Sequence, residues 1–254
     1  MSARTVPVIA LFGSSDHTDV AEALGAEIAR RNCILLTGGG RRVTGRAVTE
    51  SGLDGAEAAR RDDGVVAARI GVLGRRHTRV LVDVEDEETK IVLGLAVGDR
   101  RNYVNARLCD VAIALDGGDG TKSEVAFCLA LGRPVVLVGP RWRDEFPVTR
   151  SKTEYDLFVR AAQRRVPVGA ADELDRLITD AYDQLGPDAS SDVVHRSLDT
   201  PPSELVTEAE EAAGRVGPVG AFPELRDPAR ALVAETYATW LTTVDERLSA
   251  ARTA

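Results

Sequence analysis

Aromatic residues are scarce in this chain. Only 4% of its 254 residues are Phe, Trp or Tyr, and there is a single Met. A hydrophobic core must therefore be built from Ala, Val, Leu and Ile, and the hydrophobic fraction of 44% suits a soluble globular protein. The length allows one large α/β domain, or one domain with a small appendage.

Long apolar runs are also missing. None approaches the roughly 20 residues that a membrane span needs, so we expect no membrane partner. The apolar run near the N-terminus stops at Gly13 without the length or the cleavage site of a signal peptide. We interpret it as a first strand.

Cysteine and histidine are rare and scattered. The three cysteines form no Cys-x-x-Cys pair, and the three histidines lie far apart with no His-Glu-x-x-His pattern. Such a pattern indicates a reducing compartment and predicts a cytoplasmic protein. It also argues against a metal site built from protein ligands, and we expect no cofactor.

Positive charge is in deficit. The chain has 40 acidic and 32 basic residues, which gives a net charge of −8. It lacks the electrostatic footprint of a general nucleic-acid binder, so no nucleic-acid partner is expected. A local cluster of arginines can still hold a small anion.

Short apolar segments alternate with helical patterns along most of the chain. This alternation predicts an α/β fold: a Rossmann-like, doubly wound parallel sheet with helices on both faces. The predicted strands are Val6–Phe12, Cys33–Thr37, Val65–Leu73, Ile91–Val97, Val111–Leu115 and Val135–Val138. The predicted helices between them are Asp16–Arg31, Val43–Arg61, Arg101–Leu108 and Thr121–Leu131.

The pattern loosens toward the C-terminus. A helix is predicted over Ala171–Leu185, and the polar segment Gly186–Pro202, with three prolines, reads as a linker. Beyond it we expect one short helix and one long helix from about Pro228 to Ala251. The predicted organisation is therefore a Rossmann-like nucleotide-binding domain over residues 1–186, and a linker with a C-terminal helical extension over residues 187–254.

Among the first five predicted strands, glycine follows nearly every one and arginine follows three. In open parallel sheets ligands bind beyond the carboxyl ends of the strands, so these loops should share one edge. Glycine lets backbone amides approach a ligand, and arginine donates paired hydrogen bonds to phosphate. The loop residues are Gly13, Ser14 and Ser15; Gly38, Gly39, Gly40, Arg41 and Arg42; Gly74, Arg75 and Arg76; Gly98 to Asn102; and Asp116 to Thr121.

The most informative loop joins the strand Val111–Leu115 to the next helix. Its glycines, Gly117, Gly118 and Gly120, expose backbone N–H groups beside the positive end of a helix starting near Thr121, an arrangement that binds phosphate. Thr121 either caps that helix or donates to a phosphate oxygen. Glu124 either completes a capping box with Thr121 or reaches the sugar or reacting carbon of a ligand. A plain tight turn is the alternative to the phosphate site.

Three motifs in order resemble one family: Thr37-Gly-Gly-Gly40, then Gly98-Asp-Arg-Arg-Asn102, then Ala114-Leu-Asp-Gly-Gly-Asp-Gly-Thr-Lys-Ser-Glu124. Over about Val6 to Gly139 the chain resembles the LOG-like Rossmann proteins of the SLOG superfamily, long misidentified as lysine decarboxylases. It is most similar to their molybdenum cofactor carrier-like branch, whose pattern is roughly Gly-x-x-Arg-Asn followed by Gly-Gly-x-Gly-Thr-x-x-Glu.

The resemblance implies a nucleotide-binding α/β fold and a homodimer or homotetramer. In LOG enzymes it implies hydrolysis of the N-glycosidic bond of a nucleoside 5′-monophosphate, giving free base and ribose 5-phosphate. The catalytic Arg and Glu of the family correspond to Arg101 and Glu124. The remaining nucleotide-binding positions that we assign are Gly13, Ser14, Gly38, Gly39, Gly40, Asn102, Asp116, Gly117, Gly118, Gly120 and Thr121.

Three departures from the LOG pattern are visible. Asp116 stands where LOG enzymes have Pro, and Asn102 stands where they have Lys. Arg41 and Arg42 intervene between the triple glycine and Gly45. These changes bear on which substrate is bound and on whether it is hydrolysed.

Two functions therefore stand side by side. One is an N-glycosidase acting on a nucleoside monophosphate, with Glu124 stabilising an oxocarbenium-like state. The other is a non-catalytic carrier or sensor of a related phosphorylated small molecule, favoured by the arginine pairs after the strands. Of the remaining residues, we expect Trp142 to cover the core edge, and Cys109 and Cys128 to be buried as small hydrophobes. His17 either approaches a ligand at Ser14 and Ser15 or has a capping or surface role.

Overall fold

The structure is a computed structural model, and it describes residues 6–38, 47–65, 69–74, 90–95, 101–142 and 193–216. The strands are β1 (Val8–Phe12), β2 (Ile34–Thr37), β3 (Arg69–Gly74), β4 (Lys90–Leu95), β5 (Val111–Leu115), β6 (Val135–Val138) and β7 (Val193–Arg196). The helices are α1 (Thr18–Arg30), α2 (Val48–Asp63), α3 (Arg101–Leu108), α4 (Asp119–Ala130) and α5 (Pro202–Val216). No helix among these residues is long and apolar enough to cross a membrane.

The strands form one sheet in the order β4-β3-β2-β1-β5-β6-β7, and every neighbouring pair is parallel. The sequence prediction of a doubly wound α/β fold is confirmed. All six predicted strands are present, with ends that differ by at most four residues from those expected.

The sheet has an apolar layer on each face because side chains alternate along a strand. Ile9 and Leu11 of β1 and Ile113 of β5 share one cluster with buried residues of α1, α2 and α5. Val8, Ala10 and Phe12 are equally buried but lie outside that cluster, as their alternation requires. Helices α3 and α4 pack on each other and on the strands away from that cluster. Both faces of the central strands are thus covered.

The register of the two central strands is set at their amino ends by Asp110. Its carboxylate accepts a 2.8 Å hydrogen bond from the Val8 backbone N–H, and its own N–H donates to the Val8 carbonyl at 2.9 Å. Asp110 is 3% exposed, so a hydrogen-bond partner is required there. From this start Ile9 pairs with Val111, and Phe12 at the other end pairs with Ala114.

The segment Gly186–Pro202, predicted to be a linker, contains strand β7. Val193–Arg196 pairs with β6 and extends the sheet, so the linker interpretation is wrong for these residues. The three prolines and the polar composition of the segment are typical of a linker. The strand within it has only four residues, which are half-buried at the edge of the sheet. The expected boundary at residue 186 does not separate β7 or α5 from the sheet.

Helix α5 is the short helix expected in the C-terminal region, and it packs on α1. Arg31, just after α1, donates to Thr207 Oγ1 at 2.8 Å, to Glu210 Oε2 at 2.9 Å and to the Ser203 carbonyl at 2.8 Å. Leu205 of α5 is completely buried in the core cluster. The helices predicted over Ala171–Leu185 and Pro228–Ala251 lie outside the described residues.

Strand order turns back between β1 and β5. The chain runs outward from β1 through β2 and β3 to β4, then returns to place β5 on the other side of β1. The connections leaving β1 and β5 therefore diverge toward opposite faces of the sheet and leave a crevice at its carboxyl edge. Such a topological switch point is where open α/β sheets bind ligands.

Candidate functional site

The crevice between β1 and β5 is flanked by the two loops that the sequence analysis singled out. Gly13 and Ser14 follow β1, and the run from Asp116 to Gly118 follows β5. The paired ends Phe12 and Ala114 bring the two loops side by side. Of the predicted site residues, these are the ones that the pairing of β1 with β5 brings together.

Gly13 and Ser14 have a structural task at this edge. A Cβ on Gly13 would lie 2.7 Å from Val48 Cγ2, so the glycine lets α2 begin against the end of β1. The Val48 N–H donates to the Ser14 carbonyl at 2.8 Å. The loop after β1 is thus held rigidly by α2, whatever it binds.

Helix α4 begins two residues earlier than predicted. Its N-cap is Gly118, whose carbonyl accepts the first helical hydrogen bond from Lys122 N–H at 3.0 Å. Thr121 is therefore inside the first turn, and the expectations that it caps the helix or forms a capping box with Glu124 are wrong. The sequence pattern did not predict the earlier helix start because Gly120, a poor helix former, lies within the helix.

The N-cap glycine has no side chain to bond the first-turn N–H groups of α4. Gly118 is exposed, and a Cβ added there would meet no atom within 4 Å. Helices α1 and α2 also begin at this edge, and neither makes a hydrogen bond from its N-cap side chain. Uncapped helix N-termini present N–H donors and a positive dipole end, which favour an anion.

Thr121 shapes the loop from within. Its side chain packs on Gly117, where an added Cβ would lie 2.2 Å from Thr121 Oγ1 and 2.6 Å from its Cβ. Thr121 is 4% exposed and Gly117 is buried. Only glycine fits at position 117, so the loop folds back tightly onto the first turn of α4.

Glu124 is held by Asn105 of α3. The Asn105 side-chain amide donates to Glu124 Oε1 at 2.8 Å, and Asn105 is completely buried. One turn earlier, the amide of Asn102 lies 3.4 Å from the Gly120 carbonyl. Helix α3 therefore braces both the glycine loop and the carboxylate that follows it.

Two cysteines lie close together beside these helices: Cys109 directly follows α3, and Cys128 belongs to α4. Cys109 Sγ lies 3.9 Å from Cys128 Sγ, and both thiols are buried and free. Burial raises the pKa of the Cys128 thiol well above its ordinary value, and the adjacent Cys109 raises it further. The prediction that both are buried as small hydrophobes is confirmed, because both side chains lie in the core.

Asp116 is buried at the end of β5. It is 2% exposed, and its Oδ2 is 3.5 Å from the Arg141 backbone nitrogen. Within the described part of the chain, its Oδ1 has no hydrogen-bond partner. Burial raises the pKa of Asp116 above its ordinary value, while the Arg141 N–H and the charges of His17 and Arg141 oppose that rise.

Gly139, after β6, makes room for this carboxyl group. Its φ is +126°, and a Cβ there would lie 2.4 Å from both Cγ and Oδ1 of Asp116. The Gly139 N–H donates to the Arg196 carbonyl at 3.0 Å, which fixes the backbone. Asp116 thus occupies space that a side chain at position 139 would take.

His17 faces Asp116 across the crevice. Its Nε2 lies 3.9 Å from Asp116 Oδ2, and its side chain is 30% exposed. It is the N-cap residue of α1 but makes no side-chain cap, and its backbone is left-handed with φ 60°. The capping role considered for His17 is therefore wrong, and its partly exposed side chain lies beside Asp116 at the crevice.

The other predicted residues have mixed outcomes. Trp142 is 1% exposed and donates from Nε1 to the Ala114 carbonyl at 3.0 Å, so it covers the core edge as expected. Gly38 is buried directly after β2. Arg101 is the first residue of α3, but its side chain lies outside the described residues, as do Gly39, Gly40 and the arginine pairs at 41–42 and 75–76.

Sequence reasoning missed Asn105 and Gly139. Asn105 lies one turn after Arg101 on α3, so helical spacing from the predicted catalytic position was a signal that could have found it. Gly139 had no such signal, because its importance depends on the carboxyl group of Asp116, from a different strand.

A family model described as the SLOG cluster4 family matches residues 5–166 of the chain. The comparison with curated proteins finds no match. The matched region includes both loops of the crevice and all of α3 and α4.

Three solved structures are similar to the chain. The molybdenum cofactor carrier protein of Chlamydomonas reinhardtii is 26% identical, with a TM-score of 0.41, over 70% of this chain and 94% of that one. The molybdenum cofactor binding protein of the phototrophic bacterium Rippkaea orientalis is 28% identical, with a TM-score of 0.45, over 69% and 96%. The structural genomics target TM1055 is 18% identical, with a TM-score of 0.47, over 81% and 99%.

Proposed function

The chain belongs to the SLOG cluster4 family, and we propose that it is a phosphoribohydrolase that cleaves the N-glycosidic bond of a nucleoside 5′-monophosphate. The 5′-phosphate binds at the N-terminus of α4, on the N–H groups around Gly118. The sugar then lies in the crevice between β1 and β5, within reach of Glu124.

The observation that carries this proposal is the 2.8 Å hydrogen bond from Asn105 to Glu124 Oε1. A protein that only bound phosphate would gain nothing from a second anion near the phosphate, because like charges repel. Here a buried amide holds a half-buried carboxylate one turn beyond the phosphate loop. A carboxylate held in place suits a developing positive charge, which is what breaking a C1′–N bond produces.

In this mechanism the C1′–N bond breaks and its electron pair leaves with the base. Glu124 stabilises the oxocarbenium-like sugar and takes a proton from the water that attacks C1′. The departing base takes up one proton and Glu124 gives its proton back to solvent, so the products are free base and ribose 5-phosphate. The family resemblance assigns Arg101, the first residue of the helix that carries Asn105, either to orient Glu124 or to donate toward the leaving base.

The test is a panel of nucleoside 5′-monophosphates incubated with the full chain, with free base and ribose 5-phosphate measured by chromatography. Glu124→Gln keeps the hydrogen-bonding shape and should slow release by about 100-fold or more. Glu211→Gln, an exposed change on α5, is the matched control and should have no effect. Absence of release from every nucleotide, or full activity of Glu124→Gln, contradicts the proposal.

A second candidate is a non-catalytic carrier or sensor of a phosphorylated cofactor or nucleotide. It is favoured by Asn102, whose amide braces the Gly120 carbonyl at 3.4 Å where LOG enzymes have a lysine. Native mass spectrometry of the purified protein separates the two candidates. A co-purifying phosphorylated pterin with no base release supports the carrier, whereas ribose 5-phosphate formation supports the enzyme.

Location and assembly belong to the same proposal. A reducing, cytoplasmic compartment agrees with three free cysteines. A homodimer or homotetramer follows from the family resemblance of the motifs, and sedimentation of the purified chain measures it.

A further inference from the structure

The crevice holds a second pair of titratable side chains that the proposed reaction has not used. His17 follows β1 and Asp116 follows β5, and the two meet at 3.9 Å on the side of the switch point where the uncapped helices begin. Asp116 stands where the resembling enzymes have proline, so the pair belongs to this chain rather than to the LOG pattern.

The backbone indicates that His17 is not there to start a helix. It is left-handed at φ 60°, a conformation that costs a residue other than glycine about 1 kcal/mol or more, and its side chain makes no cap. Asn would tolerate this conformation better and would also cap the helix. A residue that is poor for the fold at such a position is explained if its side chain has another task.

Asp116 has the corresponding features of an orienting partner. It is 2% exposed, it is anchored near the Arg141 N–H, and Gly139 leaves space for it. The carboxylate, 3.9 Å from the partly exposed imidazole, is placed to hold the ring toward the crevice. Arg141 is the other charged group facing Asp116 among the described residues, and only its backbone N–H is in contact.

We infer that His17, positioned beside the Asp116 carboxylate, is the general acid that protonates the departing base. The inference rests on the proposed function. On a purine base, the probe used below, the proton acceptor is the ring nitrogen N7, two bonds from the N9 atom that is bonded to C1′. His17 gives its proton to N7 as the C1′–N electron pair flows into the ring, Glu124 takes the proton of the attacking water, and solvent restores both groups.

Such a role predicts a dependence on the leaving group. Methylation of N7 gives the base a fixed positive charge, so it departs without any proton from the protein. The experiment therefore compares the purine monophosphate that the wild-type chain cleaves best with its N7-methyl derivative, measuring free base for each variant.

His17→Asn should slow release of the unmethylated purine by about 100-fold and change release of the N7-methyl base by less than about fivefold. Its thermal midpoint should be equal to or above that of the wild type, since Asn suits both the cap and the left-handed backbone. Asp116→Asn, a positioning variant of the same shape, should show the same leaving-group pattern with a smaller loss of about tenfold. His17→Gln, which keeps length but not acidity, should behave like His17→Asn.

The outcomes are distinguishable. Equal losses on both substrates, or no loss on either, overturns the role of His17 and leaves the hydrolase standing. No base released from any monophosphate by the wild type overturns the hydrolase and the inference together.

Discussion

Asn105 donates its side-chain amide to Glu124 Oε1 at 2.8 Å, and this contact joins the two helices on one face of the sheet. The donor lies on α3 and the acceptor on α4, 19 residues apart in the sequence. The two helices pack against each other. The contact gives a half-buried carboxylate a fixed position beside the glycine loop. It is the centre of the proposed active site.

Replacing Asn105 by aspartate should affect chemistry more than folding. The two side chains have nearly the same shape, but Asn105→Asp places a second carboxyl group against Glu124, and like charges raise the pKa of one of them. We expect kcat for base release to fall by about 10- to 100-fold and its acidic limb to move to higher pH, with KM little changed. Activity across pH is the measurement.

Asn105→Ala is the companion variant. It removes the donor without adding charge, so it should lower kcat without moving the acidic limb, and it should cost about 1–3 kcal/mol of stability for the lost hydrogen bond to a charged group. A profile for Asn105→Asp that matches the wild type in both height and shape would contradict the positioning of Glu124 by Asn105.

The two glycines of the loop should respond differently to alanine. Gly117→Ala places a Cβ 2.2 Å from Thr121 Oγ1, so we expect a destabilisation of about 1–3 kcal/mol from overpacking. Gly118→Ala places its Cβ in open space with φ −85°, and stability should change by about 0.5 kcal/mol or less.

Ligand binding, unlike stability, should respond to the alanine at position 118. The methyl group of Gly118→Ala occupies the space in front of the uncapped N–H groups, so ribose 5-phosphate should bind about tenfold more weakly, the equivalent of one charge-assisted hydrogen bond. Calorimetry of the folded variant measures this. Unchanged binding would remove the phosphate from the N-terminus of α4.

Gly139→Ala should be far more costly than an alanine at another left-handed glycine. Gly132 has φ +67° with nothing within 4 Å, so its alanine variant shows backbone strain alone, about 1–2 kcal/mol. At Gly139 the φ of +126° is harder still for alanine to adopt, and a clash with Asp116 adds to that strain. Denaturant unfolding of both variants should separate the two costs.

A double variant isolates the clash. In an Asp116→Ala background the carboxyl atoms are gone, so Gly139→Ala should cost less than it does in the wild type, with a coupling of about 1 kcal/mol or more. Additive costs would show that the carboxyl group does not fill the space at Gly139.

Glu57 ties α2 to β3 and should make stability depend on acid pH. Burial raises its pKa, but hydrogen bonds and charge from Arg60 and Arg69 outweigh burial and bring the pKa below its ordinary 4.5. A carboxylate with a lowered folded pKa stabilises the protein above its unfolded pKa, and that contribution is lost as pH falls through the folded value.

Glu57→Gln should therefore lower the free energy of unfolding at pH 7 by about 1 kcal/mol, discounted because the side chain is one-third exposed. The difference from wild type should shrink as the pH falls below 4.5 and through the lower folded pKa of Glu57. Urea titrations at pH 7 and at successively more acidic pH values measure it, with Glu211→Gln as the exposed control. A difference that stays constant throughout the acidic range would mean that the effect is not due to ionisation of Glu57.

Most of the sheet was predictable from local pattern. Buried parallel strands are nearly continuous apolar runs, and Val111–Leu115 and Val135–Val138 were bounded correctly to the residue. The start of α4 was not, because glycine inside a helix looks locally like a loop. Strand β7 was missed because four polar-flanked residues have too weak a period, and only hydrogen bonding to β6 makes them a strand.

The sequence by itself determined the class of fold, the carboxyl-edge loops and the candidates Glu124 and Gly117–Gly118, since each follows from local spacing along the chain. Tertiary structure alone decided the partners: Asn105 for Glu124, Gly139 for the Asp116 carboxyl, and His17 across the crevice. These contacts join residues from different strands and helices. No local pattern encodes them, because strand order and packing, rather than chain order, determine which side chains meet.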